Sequence, residues 1–224
     1  AESLAKGDFS LTAGLLSTFS VINAITRWGS TQVQSMYLPV FAEDTDVTAT
    51  FAFQEATPAF NPYQLKTKAT EQNGQMTITG EKTLVILGDT ADVFLVSAEF
   101  NGQPDIFVVQ SNETIAIKAN PAMGLKATET ATLHFNQTPA LRLGDADFDY
   151  TAFVDLGNLM WCAMAIGTGE AIKAYCIKYA NERTAFGEPI SHRQSVAFMI
   201  ADMAIEIDAM RMLVLNAASL AETG

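Results

Sequence analysis

The hydrophobic period of this chain changes twice, and that double change constrains the fold more than any single motif does. Up to about residue 46 the apolar residues recur at helical spacing, from Val47 they alternate with polar ones, and after Asp145 the helical spacing returns. The alternating part holds VTATFAF, QMTIT, DVFLVSA, DIFVVQ, TIAIKA and TATLHF, short runs rich in β-branched and aromatic residues and bounded by turn residues. Asn73-Gly74 and Asn101-Gly102 each sit between two such runs. Both central positions of a tight hairpin need positive φ, which Asn and Gly tolerate. The order predicts an α+β protein with segregated layers: an N-terminal helical segment over 1–46, a central, mainly antiparallel β domain over 47–146, and a C-terminal helical bundle over 147–224.

The first block reads as helix that passes through Tyr37-Leu38-Pro39 into an acidic turn at Glu43-Asp44-Thr45-Asp46, because proline and clustered acids punctuate the apolar pattern. Within it, 9–26 is uncharged and about as long as the shortest membrane span. Its hydroxyl and amide side chains, among them Ser10, Thr12, Ser17, Thr18, Ser20 and Asn23, make it too polar to span, and no basic leader precedes it. It is expected to be a buried helix, with no membrane span and a cytoplasmic address. The last block predicts two long helices, from about Thr151 to Glu182 and from about His192 to Ala221, with Gly187 and Pro189 stopping the first and Ser191 capping the second. Both are apolar on more than one face, so they are expected to be buried on several sides, against further helices or in a subunit interface.

Composition removes whole classes of function. With 49% hydrophobic and 17% charged residues the chain is no disordered tail, and 25 acidic against 13 basic side chains argue against nucleic acid as a partner. Cys162 and Cys176 read as two buried thiols rather than a disulfide framework. His134 and His192 are the only histidines and lack ligand spacing, so no metal site is expected. No strand leads into a G-x-G-x-x-G or G-x-S-x-G turn; Gly157 and Gly167-Thr168-Gly169 read as close helix packing. Asp155 and Glu170 are read as pairing or capping acids of the first long helix. Arg183, at that helix's end, suits bidentate recognition of phosphate.

The stretch Tyr179-Ala180-Asn181-Glu182-Arg183-Thr184-Ala185-Phe186-Gly187-Glu188-Pro189-Ile190, then Gln194 and Phe198-Met199-Ile200-Ala201-Asp202-Met203, resembles the Y-x-x-x-R-x-x-F-G-x-x-I, Gln and L-A-D-M series of the acyl-CoA dehydrogenase family. Upstream, Phe51-Ala52-Phe53-Gln54-Glu55 resembles its aromatic-x-x-T-E strand, Leu65-Lys66-Thr67-Lys68-Ala69 its K-T-x-A strand, and Gly80-Glu81-Lys82 its G-x-K hairpin. Ala91-Asp92, Met123-Gly124 and the opening series from Gly29 through Gln34 to Tyr37-Leu38-Pro39 are similar to further family motifs, and all are collinear.

The resemblance implies an FAD enzyme of fatty-acid β-oxidation or related breakdown that oxidises the Cα–Cβ bond of an acyl-CoA thioester. A Glu takes the α proton, hydride goes to flavin N5, and an electron-transfer flavoprotein accepts the electrons; the usual assembly is a homotetramer. Carried over by position, Phe51, Phe53 and Gln54 line the flavin, and Leu84 and Ile86 lie on the strand facing its N5 edge. Arg183, Phe186 and Gln194 reach the FAD of a neighbouring subunit, while Asp155 contacts the pantetheine of CoA. The sequence departs from the pattern in three places. The family's G-A-G-S-D is Thr57-Pro58-Ala59-Phe60-Asn61, so Phe60 stands where a small serine touches flavin and substrate. W-I-T is Leu84-Val85-Ile86, and a Thr is Gln54. The catalytic Glu of some members falls on Gly157, and others carry it in a C-terminal segment beyond this one. The resemblance therefore implies an internal portion of a longer protein, without the first helices and the tail. A rival reading is a non-catalytic, flavin-poor paralogue that pairs with an active subunit in a heteromeric dehydrogenase.

Overall fold

The computed structural model describes residues 1–43, 46–121 and 123–223. Three helices open the chain: α1 (Glu2–Ala5), α2 (Phe9–Trp28) and α3 (Thr31–Glu43). The carboxylate of Asp8 caps α2 by accepting from Leu11 N–H at 2.8 Å. Contrary to the sequence reading, Pro39 does not interrupt the helical block: α3 runs through it to Glu43. Pro39 and Ser35 are both exposed, so the carbonyl that loses its N–H partner to proline lies on a solvated face. In the expected acidic turn, Asp44 and Thr45 lie outside the described residues.

Packing divides the described chain into two units, Ala13–Val154 and Ala1–Thr12 with the chain from Asp155 onward. The first is a β unit with strands β1 (Ala49–Ala52), β2 (Lys68–Gln72), β3 (Gln75–Val85), β4 (Val93–Phe100), β5 (Gln103–Gln110), β6 (Ile115–Ala119) and β7 (Ala131–Arg142). Their order is β1-β4-β2-β3-β7-β5, β5 also pairs with β4, and β6 adds to β7. The ring β4-β2-β3-β7-β5 thus closes on itself and leaves few open edges. Pairing is antiparallel except at β1–β4 and β2–β4. Both Asn-Gly turns form as expected, with φ of +53° and +77° at Asn73-Gly74 and +52° and +84° at Asn101-Gly102.

Strand β4 is buried on both faces, which is why its sequence is a continuous apolar run. Val93 and Leu95 join a cluster with Val21, Ile25, Tyr150 and Phe153, whereas Phe94, Val96 and Ala98 join Ile78, Phe107 and Leu133. Helix α2 has the length and hydropathy of a membrane span, but its hydroxyls are used on β1. Ser17 donates to Thr50 Oγ1 at 2.8 Å, and Thr18 Oγ1 accepts from Ala49 N–H at 3.0 Å.

The helical unit contains most of α4 (Tyr150–Glu182), a small hairpin of β8 (Thr184–Ala185) and β9 (Glu188–Pro189), and α5 (Gln194–Thr223). Ser191 does not cap α5. It lies in a 3-10 turn over Ile190–His192, and Ala197 N–H reaches back to the carbonyl of Arg193 at 3.0 Å, so the helix starts two residues later than expected. The glycine reading holds at Gly167, where a Cβ would meet Glu2 O at 2.0 Å, and fails at Gly157, which faces open space. Cys162 is exposed and Cys176 half-buried, so the thiols are not the buried pair expected; the helix places them on a face that the unit itself does not cover. Helix α5 leaves Phe198, Met199, Ile205, Met212 and Leu213 exposed, so this chain does not itself cover the apolar faces expected to pack on further helices or a subunit.

Candidate functional site

Strand β1 has ladder partners only as far as Ala52, paired with Val96. Of the next three residues, Phe53 and Glu55 are held through side chains and Gln54 by one backbone bond. Lys82 Nζ donates to Phe53 O at 3.1 Å, to Glu55 Oε1 at 3.0 Å and to Ser97 Oγ at 2.9 Å. Ser97 Oγ donates to the same Phe53 carbonyl at 3.1 Å, and Thr83 N–H donates to Gln54 O at 2.8 Å. The Glu55 carboxylate accepts the N–H groups of Lys66 and Thr67 at 2.8 and 2.9 Å.

Lys82 is 0% exposed. A lysine can be buried only if its three donors are used and its charge is matched, and here all three are. Burial drags the ammonium down to about 8, with Glu55 pulling it back up. For Glu55, burial alone would raise the carboxyl; the N–H groups of Thr67 and Lys66 and the charge of Lys82 outweigh it and hold it below the ordinary value. Lys82 lies four residues beyond the buried Ile78, so regular alternation along β3 points it inward, and the pairing with β7 shifts register on either side, between Ile78 and Gly80 and between Lys82 and Val85. At the second, Leu84 takes a positive φ of +53°, the mark of a bulge.

In front of this network lies an aromatic array. Phe53 stacks on Tyr150 at 6.4 Å between ring centroids, and Phe60 meets Phe53 edge-on at 6.1 Å. Phe51 packs on Phe153 at 5.7 Å and Tyr63 on Tyr150 at 5.8 Å. Tyr150 OH donates to Pro62 O at 2.8 Å, which ties the loop bearing Phe60 to the start of α4. Burial pushes the Tyr150 phenol well up, with Tyr63, Asp105 and Glu55 adding to it, so it stays a neutral donor. Phe51, Phe53 and Phe60 are thus brought together, and each is half-buried.

Gln54 is exposed and makes no side-chain hydrogen bond among the described residues. Leu84, on its bulge, is 48% exposed, and Ile86 is half-buried. The Thr83–Gln54 backbone bond brings Gln54 to β3 at the residue before Leu84.

In the helical unit Arg183 follows directly on α4 and leads into the β8–β9 hairpin; its carbonyl accepts from Ile190 N–H at 2.9 Å. Its guanidinium is exposed and forms no ion pair among the described residues. Phe186, at the hairpin tip, has φ +57° and is 94% exposed, with the Arg193 guanidinium 4.9 Å from its ring centroid. Gln194 and Asp155 are exposed. Glu170 is a pairing residue, as expected: it accepts from Lys173 at 2.8 Å and Arg211 at 2.9 Å. Arg211 also binds Glu2 at 2.9 Å and Asp208 at 3.0 Å. That charge cluster fixes α1 and was not visible in the sequence.

The profile of the acyl-CoA dehydrogenase middle domain matches residues 50–138, and that of its C-terminal domain residues 150–224. The chain belongs to the acyl-CoA dehydrogenase family. It is similar to an acyl-CoA dehydrogenase of Bacillus subtilis, 30% identical over 216 residues that cover 90% of this chain and 56% of the relative. It is likewise similar to the cyclohex-1-ene-1-carbonyl-CoA dehydrogenase of Geobacter metallireducens, 28% identical over 215 residues, 89% of this chain and 56% of that one. Among solved structures, butyryl-CoA dehydrogenase from Megasphaera elsdenii superposes with a TM-score of 0.82 at 28% identity, covering 99% of this chain and 62% of that chain. The chain spans a little over half the length of the curated relatives it matches. The family membership and the helix, sheet, helix architecture expected from the sequence both hold.

Sequence reasoning quoted Glu55 and Lys82 as motif letters and missed their joint role. The available signal was chemical. Two charged residues in otherwise strand-like runs need partners, and in the fold each is the other's, at 3.0 Å.

Proposed function

We propose that this chain is the flavin-holding part of an FAD-dependent acyl-CoA dehydrogenase. Bound FAD would supply, at N5, the hydride acceptor for oxidising the Cα–Cβ bond of an acyl-CoA thioester. The observation that carries the reading is the backbone bond from Thr83 to Gln54, which brings an exposed residue with an unused amide to the strand end that carries the exposed Leu84 and the half-buried Ile86. That donor set fits a flat, apolar ring with a polar edge: Leu84 and Ile86 would lie against the ring, and the Gln54 amide would meet its heteroatoms. Phe51 and Phe53 would support this edge from behind rather than touch the cofactor broadly, because their rings are engaged with Phe153 and Tyr150.

On the helical unit, the free Arg183 guanidinium suits a pyrophosphate, with Phe186 and Gln194 beside it in sequence, and Asp155 can accept from the pantetheine amides of CoA. Gly157 has no side chain to take the α proton, so the base is a carboxylate supplied from elsewhere. Two hydroxyls are replaced by Gln54 and Ile86; each lost hydrogen bond costs about 0.5–1.5 kcal/mol, which retunes a flavin site without abolishing it. Electron-transfer flavoprotein as oxidant and assembly into an oligomer belong to the same reading.

Phe60 favours a second reading. Its ring is packed on Phe53 in the position of a small serine, which narrows the space for a thioester and suits a non-catalytic paralogue in a heteromer. An absorption spectrum of the purified protein separates the two. Near-stoichiometric flavin that bleaches on adding an acyl-CoA supports the enzyme. A colourless protein that stays so after FAD is added supports the paralogue.

A further inference from the structure

We propose that Lys82 is a positioning residue: with Ser97 it clamps the Phe53 carbonyl, and so holds the Phe53–Glu55 segment in the extension that presents Gln54 to the flavin. The proposal rests on the flavin reading of the Gln54 and Leu84 edge, but the clamp itself is a property of this chain.

Three observations carry it. First, the segment leaves the sheet ladder at Ala52, so the Phe53 carbonyl has no strand partner, and a single backbone bond, Thr83 N–H to Gln54 O, holds the next residue to β3. Secondly, two side-chain donors, Lys82 Nζ at 3.1 Å and Ser97 Oγ at 3.1 Å, converge on the one Phe53 carbonyl, and a carbonyl has two lone pairs to take them. Thirdly, Lys82 Nζ also donates to Glu55 at 3.0 Å and to Ser97 at 2.9 Å, so the ammonium spans both ends of the three-residue segment. An ion pair kept only for stability would need no bond to Phe53, and apolar side chains often replace such pairs without loss. Here the ammonium substitutes for a missing ladder partner. Because Phe53 and Gln54 are adjacent in an extended backbone, fixing one carbonyl fixes the direction of the next side chain. The Thr83–Gln54 bond at 2.8 Å then completes the placement.

The test separates clamp from ion pair with three variants of the full protein. Glu55→Gln weakens the pair but leaves both donors on Phe53. Ser97→Ala keeps the pair and removes one of those donors. Lys82→Met removes both the pair and the ammonium. Two quantities are read: the FAD affinity of the apoprotein, and amide hydrogen exchange at Thr83 relative to the remote core amide of Val108. The clamp predicts that Ser97→Ala lowers FAD affinity about 3–10-fold and Lys82→Met by 10-fold or more. Thr83 should exchange correspondingly faster than Val108 in both variants, whereas Glu55→Gln stays within about 3-fold despite a lower melting temperature. Wild-type affinity and unchanged Thr83 exchange in Ser97→Ala overturn the proposal, and that variant serves even if Lys82→Met fails to fold. If the wild-type protein takes up no FAD at all, the flavin reading fails, and the clamp still stands or falls on the exchange at Thr83.

Discussion

Three glycines, two in the β unit and one in the helical unit, form a graded test of local packing. At Gly80, φ is +147° and an added Cβ would lie 2.7 Å from Thr67 Cα, 2.8 Å from its Oγ1 and 2.9 Å from its Cβ. Carbon contacts settle near 3.5–4.0 Å, and Thr67 cannot retreat because its N–H is held by Glu55 at 2.9 Å. Gly80→Ala therefore combines overpacking, about 1–3 kcal/mol, with an unfavourable backbone, about 1–3 kcal/mol; we expect a loss of roughly 3–5 kcal/mol. At Gly74, φ is +77° with nothing within 4 Å, so Gly74→Ala should cost only the backbone part, about 1–2 kcal/mol. Gly157 is helical and faces open space, so Gly157→Ala should stabilise by about 0.5–1 kcal/mol. Urea titration reads the first two through Trp28, which packs 5.4 Å from Phe153 within the β unit, in a Trp161→Phe background. The third is read through Trp161, 5.6 Å from Phe9, in a Trp28→Phe background. A Gly80→Ala penalty no larger than that of Gly74→Ala would refute the close approach of β3 to Thr67.

Further outcomes follow from the same geometry. Phe60→Ser should cost about 1–2 kcal/mol through lost aromatic contact and area, yet raise FAD or acyl-CoA affinity if the ring narrows the site; calorimetric titration of wild type and variant decides. Glu55 binds its proton less readily in the folded chain, so its contribution is present above the ordinary carboxylate range and disappears as pH falls through the lower, folded value. The melting-temperature gap between wild type and Glu55→Gln should therefore close on acidification from about pH 6 to pH 3, near and below the ordinary Glu value of ~4.3; a constant gap contradicts the assignment. Arg183→Lys should weaken FAD binding about 10-fold, because an ammonium cannot make the paired bonds of a guanidinium, with no change in the urea midpoint of the β unit.

Much of the architecture could be read in advance because its signals are local. The two Asn-Gly turns need positive φ whatever surrounds them, and β4 reads as a buried strand because no polar residue except Ser97 and Glu99 interrupts it. The misreadings arise where tertiary context overrides a local rule. Pro39 lies inside α3 because the carbonyl it strands is solvated, and Ser191 is passed over as a cap because the β8–β9 hairpin turns the chain into a 3-10 step first. Cys162 and the apolar face of α5 looked buried by composition, but composition does not say which molecule covers a face.

The candidate site divides along the same line. Sequence by itself determined the family, the order of helices and sheet, and which residues, Gln54, Phe60 and Ile86 among them, stand at the positions that the resemblance sets against a flavin, because these are properties of single residues at fixed places in a pattern. Only the tertiary structure decided what Phe60, Glu55 and Lys82 do. Phe60 could have opened to solvent, but Tyr150 ties its loop so that the ring closes on Phe53. Lys82 and Glu55 are 27 residues apart and become partners because β3 passes beside the end of β1, where Thr83 N–H meets Gln54 O. A charge with no local partner can be placed only when the whole barrel has closed around it, since its burial is tolerable only once every donor is met.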